Sequence, residues 1–198
     1  MLSSIHPLGE RGKGNRFAVT ATSFVVGASA GGAVLGAVLG ILGLLPSLVL
    51  DDAVALAVVG LVAVLAAVFE HTGRSLPSIP RQVDEDWLNH YRGWVYGFGF
   101  GFQLGAGVLT YITSAAVYVV LAAALLVGHP AIAVAIGLAF GLTRGFTLLP
   151  ARSIQSPQTL VSFHRRLDRS AAAVRIASTS TLAVTAAFAA TVLVQELP

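Results

Sequence analysis

Glu70, Arg144, Gln103 and Thr110 are the residues whose types could do chemistry where they stand, because each closes or interrupts a long apolar run. A carboxylate and a guanidinium at the ends of two such runs can neutralise each other. A Glu70–Arg144 pair would then hold or gate one mouth of a helical bundle, or take an anion there. Gln103 carries a primary amide, which has to find partners wherever water is absent. Thr110 adds a hydroxyl to the same run, and the two are the expected lining residues of a site. The remaining hydroxyls, including Thr113, Ser114 and the group from Ser178 to Thr185, are expected to bond their own backbone or a neighbouring helix.

Other chemistry is absent or misplaced. The chain contains no cysteine, so disulfides, thiolate metal sites and dithiol relays are excluded. His6, His71, His90, His129 and His164 all fall outside the apolar runs, so no haem held by two facing histidines is expected. His71, His90 and His164 could join Asp84, Glu85 or Asp86 around a metal, but no tight ligand spacing supports it, and they read as interfacial histidines. No GxSxG, Walker or HExxH pattern occurs, and Gly97-x-Gly99-x-Gly101 lies inside an apolar run rather than after a soluble strand. No catalytic residue, metal or cofactor is expected.

The elements that must position these groups follow from composition. Hydrophobic residues make up 56% and charged residues 11% of the 198, with a mean hydropathy of +0.82. Soluble domains carry roughly 25% charged residues, so such a chain cannot cover its surface in water. Its charges are segregated between runs of about 20 residues or more, the length that crosses a bilayer. An all-α integral membrane domain follows, one domain over 1–198, with a cytoplasmic tail at 1–16. Five spans are expected, near 17–45, 53–69, 94–127, 131–149 and 171–194. The first and third exceed ~28 residues and must tilt, kink or begin at the interface.

Orientation follows from the cations. Lys13 is the only lysine, a bias that reads as a high-GC bacterial genome and places the chain in a bacterial inner membrane. The tail (Arg11, Lys13, Arg16), the 70–93 connection and the 150–170 connection carry nearly all the positive charge. That puts the N-terminus in the cytoplasm and, after five spans, the C-terminus outside. Ala28-Ser29-Ala30 has the form of a cleavage site, but the apolar run continues far beyond a signal peptide, so the first helix is expected to be retained. Trp87, Tyr91 and Trp94 suit the headgroup layer, and 163–169 reads as a basic interfacial segment.

The chain also repeats itself. Phe24-Val25-Val26-Gly27 with Gly31 matches Trp94-Val95-Tyr96-Gly97 with Gly101, and Leu76-Pro77 with His90 matches Leu149-Pro150 with His164. A unit of two helices recurring after about seventy residues gives copies that point the same way, with a site expected between them. Three glycine ladders stand out: Gly32/Gly36/Gly40, Gly97/Gly101/Gly105 and Gly137/Gly141/Gly145. Residues four apart share a helix face, and glycine there admits another backbone. The ladders read as tight packing within the chain, or as a narrow path kept open between the copies.

Two function classes follow. One is a small carrier or channel-like protein for a solute or ion, working between the repeats. The other is a non-catalytic accessory subunit that packs its glycine faces against a membrane-protein partner, or a homo-oligomer. The bilayer itself is the surrounding partner. A formal charge of +3 is modest, and nucleic acid is not an expected partner.

The stretch from Arg92-Gly93-Trp94 through Thr110 to Arg144-Gly145-Phe146-Thr147-Leu148-Leu149-Pro150 resembles one repeat of the CcdA/DsbD-type membrane thiol-electron carriers and related small bacterial transporters. That family carries electrons through paired membrane cysteines, in a six-span inverted arrangement. This chain lacks the cysteines, so the resemblance implies the scaffold and not the electron chemistry.

Overall fold

The computed structural model describes residues 5–72, 90–108, 112 and 114–196. Among them every regular element is helical. In chain order these are α1 (Pro7–Gly12), α2 (Phe17–Leu42), α3 (Asp52–Thr72), α4 (Gly93–Gly105), α5 (Ala116–Leu126), α6 (Pro130–Phe146) and α7 (Pro157–Glu196). Short 3-10 turns occupy Pro46–Leu48 and Leu149–Ser153. Four stretches are long and apolar enough to cross a membrane: Phe17–Leu48, Asp52–Thr72, Pro130–Ser153 and Pro157–Gln195.

Local chemistry sets the ends of these helices. The Asp51 carboxylate accepts the Val54 N–H at 2.8 Å and so caps α3. Pro130 opens α6, where its missing N–H has no helical partner to lose. α7 opens with a reciprocal box: Thr159 Oγ1 accepts the Ser156 N–H at 2.9 Å, and Ser156 Oγ accepts the Thr159 N–H at 3.3 Å. That box, with Pro157 just inside it, starts the helix well before residue 171. The expected polar connection over 150–170 is therefore corrected to a 3-10 turn followed by the first turns of α7.

The expected third span over 94–127, whose length called for a tilt or a kink, is interrupted. It is two helices, α4 and α5, and not one. α4 ends at Gly105, and Gly107 at φ +66° takes the left-handed turn that stops an α-helix. With 13 and 11 residues, the halves are about 20 and 16 Å long at ~1.5 Å per residue, each short of a bilayer core. Among the described residues the five expected spans thus become four long apolar helices and one interrupted stretch.

The chain divides into two compact units. The first comprises Met1–Gly32, Pro80–Thr110 and Leu138–Ala171, and its core gathers Ile5, Phe24, Tyr96, Phe100, Leu148 and Ile154. The second comprises Ala33–Ile79, Tyr111–Gly137 and Ala172–Pro198. Its core is built of smaller side chains, Ala63, Ala66, Ala115, Val119 and Leu182, where α3, α5 and α7 meet.

Candidate functional site: a buried carboxylate beneath the N-terminal helix

From Ile5 onward, the segment that reads in sequence as a tail is folded. His6 caps α1, its Nδ1 accepting the Gly9 N–H at 3.1 Å, and Pro7 occupies the first helical position. Ile5 enters the core of the first unit, and the Leu8 N–H donates to the Ile154 carbonyl at 3.3 Å. Gly14, at φ +72°, turns the chain back so that the Asn15 N–H reaches the Glu10 carbonyl at 2.8 Å.

This docking carries Glu10 inward until no part of it is exposed. Its Oε2 accepts the Thr20 hydroxyl at 2.6 Å, and its Oε1 accepts the Tyr96 hydroxyl. Thr20 and Tyr96 are themselves fully buried, on α2 and α4 respectively. Asn15 extends the network: its amide donates to the Tyr96 oxygen at 3.2 Å, and its carbonyl oxygen accepts the Gly93 N–H at 3.4 Å. The Lys13 ammonium stands 5.6 Å from the centre of the Tyr96 ring. A buried carboxylate without donors would be costly, and here both oxygens are met by hydroxyls from two different helices. Burial pushes the His6 imidazole below its ordinary value; Glu10 opposes that shift and Lys13 adds to it.

The residues singled out in sequence lie elsewhere. Glu70 is half-buried at the end of α3, where its Oε2 accepts the Ala115 N–H at 2.8 Å and the Ser114 hydroxyl at 3.5 Å. It therefore caps the start of α5, where the helix dipole favours a negative charge. Ser114 lies 3.3 Å from the Ser178 hydroxyl of α7. Arg144 belongs to the first unit, half-buried, with its guanidinium 5.2 Å from the Phe140 ring centre. The two charges expected as a pair thus fall in different units, each with neighbours of its own. Gln103 is half-buried near the end of α4, and Thr110 lies outside the described residues. Thr179, Thr181 and Thr185 return their hydroxyls to carbonyls one turn back, at 2.9 to 3.0 Å.

All nine ladder glycines are buried. In the first unit α2 and α4 run parallel, Gly27 and Gly31 abutting the Phe98 and Phe102 carbonyls. Gly97, Gly101 and Gly105 of α4 abut the carbonyls of Thr20, Phe24 and Ala28 in return. Gly141 and Gly145 of α6 approach α2 over 25–32 in the antiparallel sense, Gly141 also meeting the Ala28 carbonyl. In the second unit Gly36 and Gly40 receive Ala133 and Pro130. A methyl group on Gly105 or Gly141 would overlap the Ala28 oxygen, so backbone fills the space that the missing side chains leave.

Sequence reasoning missed Glu10, Thr20, Tyr96 and Asn15. Tyr96 lies 86 residues from Glu10, and no periodicity links them. The available signals were local: His6-Pro7 as a cap and first turn, and one acid set among basic residues.

No protein-family profile and no solved structure matches the chain. It is similar to the methylamine utilization protein MauF of Paracoccus versutus, with 35% identity over 165 residues. The likeness covers 77% of this chain and 60% of that protein's length.

Proposed function

We propose that this chain is a bacterial inner-membrane protein that serves the utilization of methylamine or a related small amine, as a non-catalytic accessory subunit. The observation that carries the reading is its similarity to MauF across most of the chain. The geometry supports a scaffold role. The glycine faces are occupied by close backbone contacts within each unit, and the one fully buried carboxylate described is engaged on both oxygens. A partner would thus be met by other surfaces than the ladders.

Insertion in a bilayer accounts for the outward apolar side chains of α2, α3 and α7, among them Val26, Val34, Leu61, Val64, Val184 and Phe188. Of the ten described lysines and arginines, all but Arg175 belong to the first unit, which supports a cytoplasmic N-terminus. Counting 93–126 as one interrupted crossing puts the C-terminus outside. The parallel packing of α2 and α4 fits copies of a two-helix repeat that point the same way. The likeness of 92–150 to one CcdA/DsbD-type repeat adds a scaffold without the cysteines that would carry electrons.

A small-solute carrier is the second reading, and the left-handed turn at Gly107 that ends α4 inside an apolar run is the observation that favours it. Carriers bind at such interruptions, where helix ends and free carbonyls are available. Deletion of the gene in its native host separates the two. The accessory reading expects growth of the deletion strain on methylamine to fail while its uptake of labelled methylammonium continues, and a second protein to co-purify in fixed ratio with the intact protein from the wild type. Loss of uptake together with growth would move the assignment to the carrier, and unimpaired growth would reject both.

A further inference from the structure

Beside the buried carboxylate, and sharing Asn15 with its network, the first unit has an open cleft of about 380 Å³. Arg11, Arg16 and Arg152 line it, together with Pro7, Asn15, Phe17, Ala18 and Gln155. The three arginines come from three separate places: the last turn of α1, the residue before α2, and the 3-10 turn after α6. Each is anchored through its backbone. α1 is tied to the Arg152 segment by the bond from Leu8 to Ile154. The Arg16 carbonyl accepts the Val19 and Thr20 N–H groups at 2.9 and 3.2 Å, which fixes it at the head of α2. Phe17 and Ala18 bring the positive end of that 26-residue helix to the cleft wall.

No carboxylate lines this cleft among the described residues. The first unit carries nine described lysines and arginines against two described carboxylates, Glu10 and Asp168. Glu10 is sealed behind Thr20 and Tyr96, and Asp168 is not part of the lining. Three like charges brought together by folding repel one another unless an anion neutralises them. Guanidinium forks match the paired oxygens of a phosphate better than any other common anion except carboxylate, and they bind it bidentately. The volume, within the ~300–1,000 Å³ range of ligand pockets, admits a phosphate together with a small attached group.

We propose that the Arg11–Arg16–Arg152 cleft is a binding site for a phosphate group, presented either by an anionic phospholipid headgroup or by a free phosphate or phosphate ester. The full-length protein tests this in two arms. In nanodiscs of phosphatidylcholine with phosphatidylglycerol, native mass spectrometry counts the phosphatidylglycerol retained after release. In delipidated detergent solution, inorganic phosphate is compared with chloride at equal ionic strength for its effect on melting temperature.

Retention of one phosphatidylglycerol without a phosphate effect assigns the headgroup. A phosphate-specific rise without retention assigns the soluble ligand. In either case R11Q/R16Q/R152Q weakens binding at least tenfold, while R165Q/R166Q/R169Q, on α7 and outside the cleft, leaves it unchanged. Should the cleft variant fold poorly, Arg152→Lys and Arg152→Gln replace it, with binding falling in the order wild type, Lys, Gln as the fork and then the charge are lost. Absence of both effects overturns the site. So does equal loss in the α7 variant, which would mean a diffuse basic surface, and so does equal binding by all three residues at 152.

Discussion

At the scale of single residues, the most consequential group is one whose side-chain partners stand on two other helices. Glu10 holds α1, α2 and α4 together through two hydroxyls. Tyr96→Phe removes one donor while leaving the carboxylate buried, and a buried acceptor left unpaired costs about 1–3 kcal/mol. A drop of about 2 kcal/mol is expected in denaturant unfolding in detergent. Combining it with Glu10→Gln should give a loss smaller than the sum of the two single changes, since both act on one bond. Additive losses would mean that the hydroxyl and the carboxylate do not interact.

His6 adds a pH dependence of known sign. Its folded value lies below the ordinary 6.5, so the folded state takes up the proton less readily than the unfolded one. The stabilisation is fully present above about pH 6.5 and is lost as the pH falls through the folded value. Protease cleavage in the α1 region should therefore quicken on acidification below about pH 6.5. His6→Asn, which keeps an N-cap acceptor without a titrating ring, should abolish that step. Persistence of the step in the variant would assign it to another group.

At the scale of elements, helix packing turns on Ala28, which is wholly buried with Gly105 of α4 and Gly141 of α6 both set against its carbonyl. Gly105→Ala and Gly141→Ala must push a backbone aside. Overpacking of this kind costs about 1–3 kcal/mol each. Gly12→Ala is the control: it is also helical, but its added methyl meets nothing within 4 Å. It should change stability by less than about 1 kcal/mol, and in the favourable direction, since alanine is the better helix former. Fluorescence-detected size exclusion after a heating series ranks the three. Glycine spacing alone marks which residues share a helix face that another backbone can approach. Which helix meets which is not legible in the spacing, because any ladder can receive any backbone.

At the scale of the whole molecule, the native absence of cysteine gives a clean background for topology. Ser47→Cys precedes α3, and Ser153→Cys follows α6; both side chains are exposed, and each hydroxyl donates to a carbonyl of its own turn. With the N-terminus in the cytoplasm, a membrane-impermeant maleimide added to intact spheroplasts should label position 47 and spare position 153 until the membrane is opened. The reverse pattern would invert the orientation, and labelling of both at once would remove the bilayer from between them. The same charge asymmetry underlies the phosphate cleft, whose arginines would stand at the cytoplasmic headgroup layer under this orientation.

Apolar run length by itself located most of the long helices, because a long run without turn residues pairs its backbone groups most readily within itself, as a helix does. It misplaced what depends on short-range chemistry. The Ser156–Thr159 box carried α7 back through a basic stretch that reads as a connection. Gly107 broke a run that hydropathy joins. Only the tertiary structure decided the site. Glu10 looks like a solvated tail residue until α1 docks, since its burial depends on hydroxyls that the fold alone brings within reach. The same holds for Glu70, whose carboxylate caps α5 because packing of α3 along α5 sets it there. Composition and spacing determine which solvent a chain can face. Which buried charges are matched depends on where distant backbones come to rest.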